Sequence, residues 1–418
     1  MLIKKPSALR LVVTHACLWV HLQSVGAETL PGLPPETTVA EFLRQSPAYQ
    51  AAQRGQEAER LVARQHQVGP YEWTGTAATS RRSQNAPTRE RFQEYELGLE
   101  RTVRLPGKVA VSTRAGETRV AQSEAMARKV WHDQARLLLE RYATWLRERE
   151  SARTWTQQVT LLRQQWSTTE RRQQLGDAAR IEQQQALAAL TQAEAQRLAT
   201  EGRLAAASAA LATGLPAMPV TTDHLPPAPP PKADTPRTLV ERQLHYSPDL
   251  ALARQEHQVA EAQMRLDAAE RRPDPTVGVR FTRERGGAEH TTALVLSVPF
   301  GGEYRDAGAQ ASAFRVSAAA AQLLDVERRM QTEADQRVRD LVSAFESWQR
   351  HAEAAQQLMG VADTLDKGYR LGEGNLNEVL SARRLANEQQ LVAATGLADL
   401  WTARLRLQLE SGLLLAHP

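Results

Sequence analysis

Cysteine, aromatic residues and long apolar segments are all scarce in this sequence. The single cysteine is Cys17, so a chain cleaved after it would have no disulfide and no thiolate metal site. Aromatic residues make up only 5% of the 418 residues. Ala, Gln, Arg, Glu and Leu dominate instead, which favours long helices with narrow apolar seams over a compact core.

The sequence predicts no transmembrane helix after the first 27 residues, because no apolar run there reaches about 18 residues. An exported chain can still meet a membrane through β-strands, whose sequence signal is much weaker.

The N-terminus has the features of a secretory leader. Three cations precede a mostly apolar stretch over residues 11–27, which ends in small residues. We predict cleavage after Ala27. A frayed amphipathic terminus is the alternative, because His15 and His21 interrupt the stretch. Lipid anchoring at Cys17 is a minor alternative, since no leucine stands three residues before it.

The basic pI of 9.3 does not indicate nucleic-acid binding. The net charge of +4 falls to +1 without the leader, which carries three cations and no acid. Charges alternate in sign along the helical segments instead of forming a basic stripe, which is typical of a solvated helix surface. We therefore expect no nucleic-acid partner.

Motifs for catalysis and cofactor binding are missing. No two histidines stand three or four residues apart, so no helical metal site is indicated. Gly107-Lys108 is not a phosphate loop, because Val109 replaces the required Ser or Thr, and no nucleophile-elbow or dinucleotide fingerprint occurs. We expect no catalytic residue, no cofactor and no enzymatic activity.

The chain contains two halves with the same plan. Each opens with Ser-Pro, at Ser46 and at Ser247, which is a helix-start signature. Period-2 alternation then predicts a β-hairpin in each half, over residues 71–104 and 276–299. The first hairpin loop is expected at about residues 81–92.

Each hairpin ends at proline and glycine, which redirect the chain from strand to helix. These junctions are Leu105-Pro106-Gly107-Lys108 and Pro299-Phe300-Gly301-Gly302. From Gly107 to Leu175 the pattern is helical. Its apolar residues follow 4-3-4-3 spacing: Trp131, Ala135, Leu138, Tyr142 and Trp145.

Gly176 and Gly372 interrupt the long helices, and helical patterns resume within a few residues. We predict two helical hairpins with tips at residues 175–180 and 371–377. Aligning the tips pairs Leu175 with Leu371, Gly176 with Gly372, Asp177 with Glu373 and Glu182 with Glu378. Tandem duplication is the economical explanation.

The predicted organisation has four parts. They are the leader (1–27), the first repeat (28–212), a Pro-rich linker (213–240) and the second repeat (241–418). Prolines make the linker stiff and extended, or alternatively a ligand for a proline-recognising protein. Four strands per chain cannot enclose a membrane pore, so strands in a membrane would need sister chains. Three chains would supply twelve strands, enough for a wet lumen.

This plan resembles the TolC-type outer-membrane efflux family over residues 40–415. The resemblance is carried by the Ser-Pro openings, both junctions and, above all, the segment from Tyr369 to Leu380, YRLGEGNLNEVL. The fold class it implies is mainly α with a small membrane β-barrel portion: tandem-repeat long helical hairpins forming an α-barrel, plus four strands per chain closed by homotrimerisation. Similar Leu-Pro-Gly-Lys junctions occur in heavy-metal efflux channels.

The resemblance also implies a location and partners. The chain would sit in the bacterial outer membrane, extend into the periplasm, and serve as a passive exit channel in efflux or type I secretion. A periplasmic adaptor protein and an inner-membrane pump would be its partners, together with outer-membrane lipid. The tip residues expected to contact the adaptor are Leu175, Gly176, Asp177, Leu371, Gly372, Glu373, Gly374 and Asn375.

In this family, acidic residues after the second tip can form a constriction at the periplasmic entrance. Glu378 matches one such position, whereas Ser381 stands where a second acid can occur, which puts a double carboxylate gate in doubt. An ordinary exposed helix residue is the alternative for Glu378. For the whole chain, the alternatives are a soluble coiled-coil scaffold or adaptor and a secreted structural protein.

Overall fold

The chain is mainly helical and carries one four-stranded antiparallel sheet, which confirms the predicted long helical hairpins and four strands per chain. The structure, a computed structural model, describes residues 35–85, 87, 89–213, 225–231 and 236–417. The predicted leader, Cys17 included, lies outside these residues, as does most of the predicted linker. None of the helices in the described part of the chain has an apolar segment long enough to cross a membrane.

Eight helices and four strands follow one another in the described residues. The helices are α1 (Glu36–Gln45), α2 (Pro47–Val68), α3 (Lys108–Gln174), α4 (Arg180–Ala212), α5 (Pro236–Tyr246), α6 (Pro248–Glu270), α7 (Glu303–Arg370) and α8 (Leu376–Glu410). The strands are β1 (Trp73–Gln84), β2 (Glu90–Thr102), β3 (Thr276–Glu284) and β4 (Glu289–Ser297), with a single 3-10 turn at Arg285–Gly287 before β4.

Serine caps begin the helices that lead into the two hairpins, as predicted. The Ser46 hydroxyl accepts from the Tyr49 N–H at 3.3 Å, and the Ser247 hydroxyl accepts from the Leu250 N–H at 3.2 Å. Each cap satisfies a backbone donor that has no partner within its helix.

The short helices α1 and α5 were not predicted. Helix α5 begins at Pro236, inside the predicted linker, so the expected linker end at residue 240 is wrong. Proline suits the first helical position because its missing N–H has no partner there anyway. The density of prolines alone therefore predicted a linker that extends too far along the chain.

Helices α3 and α7 are 67 and 68 residues long, or about 100 Å each at 1.5 Å per residue. In the half nearer the sheet, α3 packs against α2 and α6, and α6 packs against α7. In the other half, α3 packs against α4 and α8, and α7 packs against α8. The two repeats therefore lie side by side along the whole length of α3.

The main apolar core lies around the middle of α3 and includes residues from α1, α5, α7 and the end of α8. The five residues of the predicted α3 seam are all buried, with Trp131 and Ala135 1% and 0% exposed. The predicted seam is therefore confirmed.

The described linker segment, residues 225–231, lies against α8. The Trp401 indole N–H donates to the Pro226 carbonyl at 3.0 Å, and Arg404 donates to the Pro229 carbonyl at 3.0 Å. The proline-rich connector thus supplies carbonyl acceptors to the second repeat.

A partly buried charge network ties together three helices beside this core. Arg136 of α3 donates two hydrogen bonds of 2.8 Å to Glu410 of α8. It also donates to Asp249 of α6 at 3.2 Å, and Lys129 contacts the same carboxylate at 3.0 Å. Each of these charges has an opposite partner, which offsets the cost of its partial desolvation.

The sheet has the strand order β1-β2-β3-β4, so the two hairpins are joined through β2 and β3. Strands β1 and β2 pair from Trp73 with Arg101 to Gln84 with Glu90. The predicted loop at residues 81–92 is therefore wrong, since only residues 85–89 connect the strands. Polar residues such as Arg82 interrupt the apolar alternation, so the sequence pattern predicted that the strand ends too early. Backbone pairing nevertheless continues through these residues to Gln84.

Candidate functional site

The two faces of the sheet differ in composition: most of the large apolar residues lie on one face, and all the glutamates lie on the other. Residues directly opposite one another in antiparallel strands point to the same side, and the register joins Gly75, Leu99, Val279 and Leu294 in one row. This face, called the apolar face below, carries Trp73, Ala77, Tyr95, Leu97, Leu99, Val277, Val279, Phe281, Leu294 and Leu296. These side chains are exposed in the single chain, for example Leu294 by 88% and Leu97 by 59%.

All glutamates of the four strands lie on the opposite side, the glutamate face. They are Glu90, Glu94, Glu96, Glu100, Glu284 and Glu289. Two arginines share this face: Arg82 lies 2.9 Å from Glu94, and Arg280 lies 3.0 Å from Glu96. The sheet thus has one side suited to hydrocarbon and one suited to water.

The sheet is open at both edges. Within the described part of the chain, strand β1 pairs only with β2, and strand β4 pairs only with β3. Both edges therefore present backbone donors and acceptors that a further strand could satisfy.

The first strand-to-helix junction is built around a buried ion pair. Gly107, with φ of 90°, precedes α3 and turns the chain after Pro106. The Lys108 ammonium, 4% exposed, lies 3.0 Å from Asp274 and 3.1 Å from Glu270 of the second repeat. The predicted junction residues therefore mark a point where the two repeats are joined.

Asp274 organises this junction. Its carboxylate accepts hydrogen bonds from the Leu105 N–H and the Tyr71 hydroxyl, both at 2.9 Å, in addition to the contact with Lys108. Burial alone would raise the pKa of Asp274, but the hydrogen bonds from Leu105, Lys108 and Tyr71 outweigh burial and lower it. Burial, followed by the bond to Asp274, raises the pKa of Tyr71 to about 12.

Sequence reasoning missed Asp274. An aspartate between two prolines, Pro273 and Pro275, was a usable signal, because the prolines hold it in extended backbone beside a strand. Its partner Lys108 lies 166 residues away, so only the folded chain identifies the pair.

The second junction has a different chemistry. Pro299 and Gly301 lie between β4 and α7, and a Cβ at Gly301 would come within 3.1 Å of the Arg271 carbonyl oxygen. The salt bridge here, between Arg271 and Asp306 at 2.6 Å, is exposed. The duplicated halves therefore share a turn at this place without sharing an ion pair.

The two hairpin tips close with the same backbone motif. Gly176 and Gly372 have φ of 82° and 86°. The Asp177 N–H donates to the Arg172 carbonyl at 2.8 Å, and the Glu373 N–H donates to the Gly368 carbonyl at 2.8 Å. This is the Schellman arrangement, in which a left-handed residue satisfies the last carbonyls of a helix.

The backbone geometry of the two tips predicts that replacing either tip glycine by alanine lowers the stability of the chain. A Cβ at Gly176 or Gly372 would meet no atom within 4 Å, so only the left-handed backbone opposes the change. We expect Gly176→Ala and Gly372→Ala each to destabilise the chain by about 1 kcal/mol. Thermal denaturation followed by circular dichroism would measure this.

Gly360, inside α7, is the matched control. It also has open space for a Cβ, but its backbone is helical, so Gly360→Ala should stabilise by up to about 1 kcal/mol. Equal shifts of the same sign for Gly360→Ala and the tip variants would contradict this account.

Tyr369 of the second tip makes hydrogen bonds with residues beside the first tip. Arg172 donates to the Tyr369 carbonyl at 2.9 Å, and its guanidinium lies 4.6 Å from the centre of the Tyr369 ring. The Tyr369 hydroxyl donates to Glu182 at 3.1 Å. These contacts join the two tips, and the predicted tip residues Leu175 and Leu371 are exposed by 77% and 81%.

Glu378 lies in the first turn of α8 and is exposed. Its N–H donates to the side chain of Asn375, the N-cap, at 3.0 Å, and its carboxylate accepts from the Asn375 amide at 3.0 Å. Glu182 and Glu378, paired by the tip alignment, line one open groove between α4 and α8, and Ser381 lines it too. The groove therefore holds two carboxylates per chain, one from each tip.

Solved structures with the same arrangement of helices and strands are outer-membrane proteins. The outer membrane protein VceC of Vibrio cholerae superposes with a TM-score of 0.73, at 17% identity over 91% of this chain and 95% of VceC. This chain has the TolC-type fold. The similarity covers both repeats and the sheet.

Two further channels have this TolC-type fold. The CmeC outer membrane channel of Campylobacter jejuni gives a TM-score of 0.72 at 13% identity, over 90% of this chain and 85% of CmeC. The open-state MtrE outer membrane channel of Neisseria gonorrhoeae gives 0.61 at 17% identity, over 92% and 90%. No protein-family model and no curated protein sequence matches the chain. In its described residues, no group of three or more His, Cys, Asp or Glu is placed to hold a metal ion.

Proposed function

We propose that this protein is a passive exit channel of the bacterial outer membrane, which conducts substrates delivered from the periplasm to the exterior. The separation of the two sheet faces carries this proposal. An exposed apolar face with the glutamates on the other side is costly for a single chain in water. It suits a wall between lipid and a wet lumen.

The strand dimensions support the same placement. The strands have 12, 13, 9 and 9 residues, and about 9 to 11 tilted residues cross a bilayer. On the apolar face Trp73 lies at the helix end of the sheet and Tyr95 lies near the hairpin end. Aromatic residues at both ends are typical of strands that meet two membrane surfaces.

The open edges require partners, and three copies of this chain are the assembly that we propose. Twelve strands would close a barrel with a wet lumen, and no edge would remain in lipid. Exposed aromatic residues after β4 and at the start of α7 support contact with a neighbouring chain: Phe300, Tyr304 and Phe314 are 95%, 92% and 76% exposed.

Purified protein in detergent tests the proposed function directly. We expect a particle with the molar mass of three chains by light scattering, and ion conductance after insertion into planar bilayers. A monomer that stays soluble without detergent and never conducts would favour a periplasmic scaffold or adaptor instead. The structural neighbours are channels, and we propose that this chain has no enzymatic activity.

Contact between the hairpin tips and a periplasmic adaptor is part of the proposal, with an inner-membrane pump behind the adaptor. The exposed Leu175 and Leu371 at joined tips offer apolar contacts. A photo-crosslinking residue at Asp177 or Glu373 should therefore give an adduct with a co-expressed adaptor. The same label at Asp325, in the half of α7 nearer the sheet, is the control. Equal adducts at all positions would contradict tip-specific contact.

Glu378 is proposed to help form a constriction at the periplasmic entrance. In three copies, the groove carboxylates of Glu182 and Glu378 would converge and attract cations in a salt-dependent way. We expect Glu378→Gln to weaken cation block of the bilayer conductance at low salt, with the difference shrinking at high salt. Glu373→Gln, at the tip but outside the groove, should leave block unchanged. Identical block in the wild type and Glu378→Gln across a salt titration would remove the role.

A further inference from the structure

The ionisable residues on the apolar face of the sheet are all basic, apart from the weakly acidic Tyr95. The arginines there are Arg81, Arg91, Arg101 and Arg283, with His290 beside Arg283. No carboxylate of the strands shares this side, since all the strand glutamates lie on the glutamate face. An arginine that faces lipid is costly near the middle of a bilayer and tolerated near its surfaces. The position of each arginine along the sheet therefore determines whether it is compatible with contact with lipid.

Three of the arginines cluster at the hairpin end: Arg81 and Arg91 lie beyond the apolar residues, and Arg283 lies in the row of Tyr95. Arg81 lies opposite Gln93, and Arg283 lies opposite Tyr95. Arg91 lies in β2 two residues closer to the hairpin loop than Gln93. From strand spacing and rise, the Cα atoms of Arg81 and Arg91 are about 8 Å apart, and those of Arg81 and Arg283 are roughly 12 Å apart. Side chains of this length can converge on one ligand.

These three guanidinium groups have no acidic partner among the described residues. By contrast, Arg82 and Arg280 on the glutamate face and Arg285 in the turn are each paired with glutamate. Arg101 at the helix end lies over the Trp73 ring and donates to the Tyr71 carbonyl. The hairpin-end cluster is thus the part of this face where cations are exposed and unpaired.

We infer that Arg81, Arg91 and Arg283 bind phosphate groups of lipids in the leaflet that surrounds the hairpin end of the sheet. The inference rests on the proposed membrane placement of the sheet. Guanidinium groups bind phosphate through paired, charge-assisted hydrogen bonds. The adjoining apolar residues, Tyr95 and Phe281 among them, would contact the acyl chains of the same lipid. A phosphate-bearing lipid therefore matches both the charge and the apolar part of the surface.

The test compares lipids that differ only in phosphate. Purified full-length protein is incubated with detergent micelles that contain either a glycolipid with two phosphate monoesters or the same glycolipid after dephosphorylation. Lipid retained per chain after gel filtration is measured by mass spectrometry of the intact complex. We expect the wild type to retain the phosphorylated lipid at least tenfold better.

The variant Arg81→Gln/Arg91→Gln/Arg283→Gln should lose this preference. The matched control, Arg54→Gln/Arg114→Gln/Arg350→Gln, removes the same charge from exposed helix positions and should keep it. Arg81→Lys/Arg91→Lys/Arg283→Lys retains charge without paired hydrogen bonds and should give intermediate retention. Equal retention by the wild type and the glutamine variant would overturn the inference. So would full competition by inorganic phosphate, which would show an ion site that does not require lipid.

Bilayer conductance separates this inference from the proposed function. A wild type that conducts but does not distinguish the two lipids removes the lipid site and leaves the channel. A wild type that never conducts removes the channel, whereas the micelle assay still reports on the arginine cluster. A glutamine variant that conducts normally but has lost lipid retention supports both.

Discussion

Replacing Leu294 by arginine is expected to prevent stable membrane insertion of the proposed channel. Leu294 lies in the middle of the apolar face and is 88% exposed. An arginine facing lipid near the bilayer midplane costs about 2 to 4 kcal/mol, and a trimer would carry this cost three times. The amount of trimer recovered from the membrane fraction, and its midpoint of thermal dissociation, measure the effect.

The neighbouring residue provides the control. Val295 points to the opposite side of the sheet, in the row that contains Glu100 and Gly278. Val295→Arg would place its charge in the proposed lumen near a carboxylate, so insertion should be nearly normal while conductance changes. If Leu294→Arg and Val295→Arg insert equally well, the apolar face does not contact lipid.

Removing the Asp274 carboxylate is expected to be the most destabilising change at the strand-to-helix junctions. Asp274→Ala leaves the buried Lys108 with only the partly exposed Glu270, and it leaves the Leu105 N–H without its acceptor. Breaking a buried pair in this way costs about 3 to 5 kcal/mol. Because Lys108 keeps its contact with Glu270, we expect a loss of unfolding free energy at the lower end of this range, about 3 kcal/mol. Thermal unfolding measures it.

The second junction supplies the control for this change. Asp306→Ala removes a carboxylate from the exposed pair with Arg271, and exposed pairs contribute less than about 1 kcal/mol. Adding Lys108→Met to Asp274→Ala should recover part of the lost stability, because no unpaired charge then remains buried. No recovery in the double variant would contradict the role given to the ion pair.

The same pair predicts how stability depends on pH. The pKa of Asp274 is lowered in the folded chain, so its contribution is present above the unfolded pKa of about 3.9 and is lost as pH falls below it. The wild type should therefore lose stability below about pH 4 more steeply than Asp274→Ala. Parallel pH profiles would show that Asp274 contributes nothing through its charge.

Much of the fold could be predicted because its signals are local. The Ser-Pro caps, the alternation of the strands and the glycines at both tips act within a few residues, and each specifies one element. The loop at residues 81–92 was predicted wrongly for the same reason. Its polar residues give no local strand signal, and only pairing with β2 makes β1 continue to Gln84.

The candidate sites could be predicted only in part. The tip segments and the junction motifs were found because they repeat between the halves. The contacts of Tyr369 with Arg172 and Glu182 were not found, since they join residues almost 200 positions apart. Glu182 and Glu378 were matched by alignment, but their different bonds, to Tyr369 and to Asn375, follow from packing.

The sequence by itself determined the repeated helix–hairpin–helix plan, because helix period, strand period and turn chemistry are set by neighbouring residues. Only the tertiary structure decided that the strands of both repeats join in one sheet, that its glutamates share one side, and that Lys108 pairs with Asp274. Register and ion pairing between distant segments depend on how the whole chain closes, and no local pattern encodes that closure.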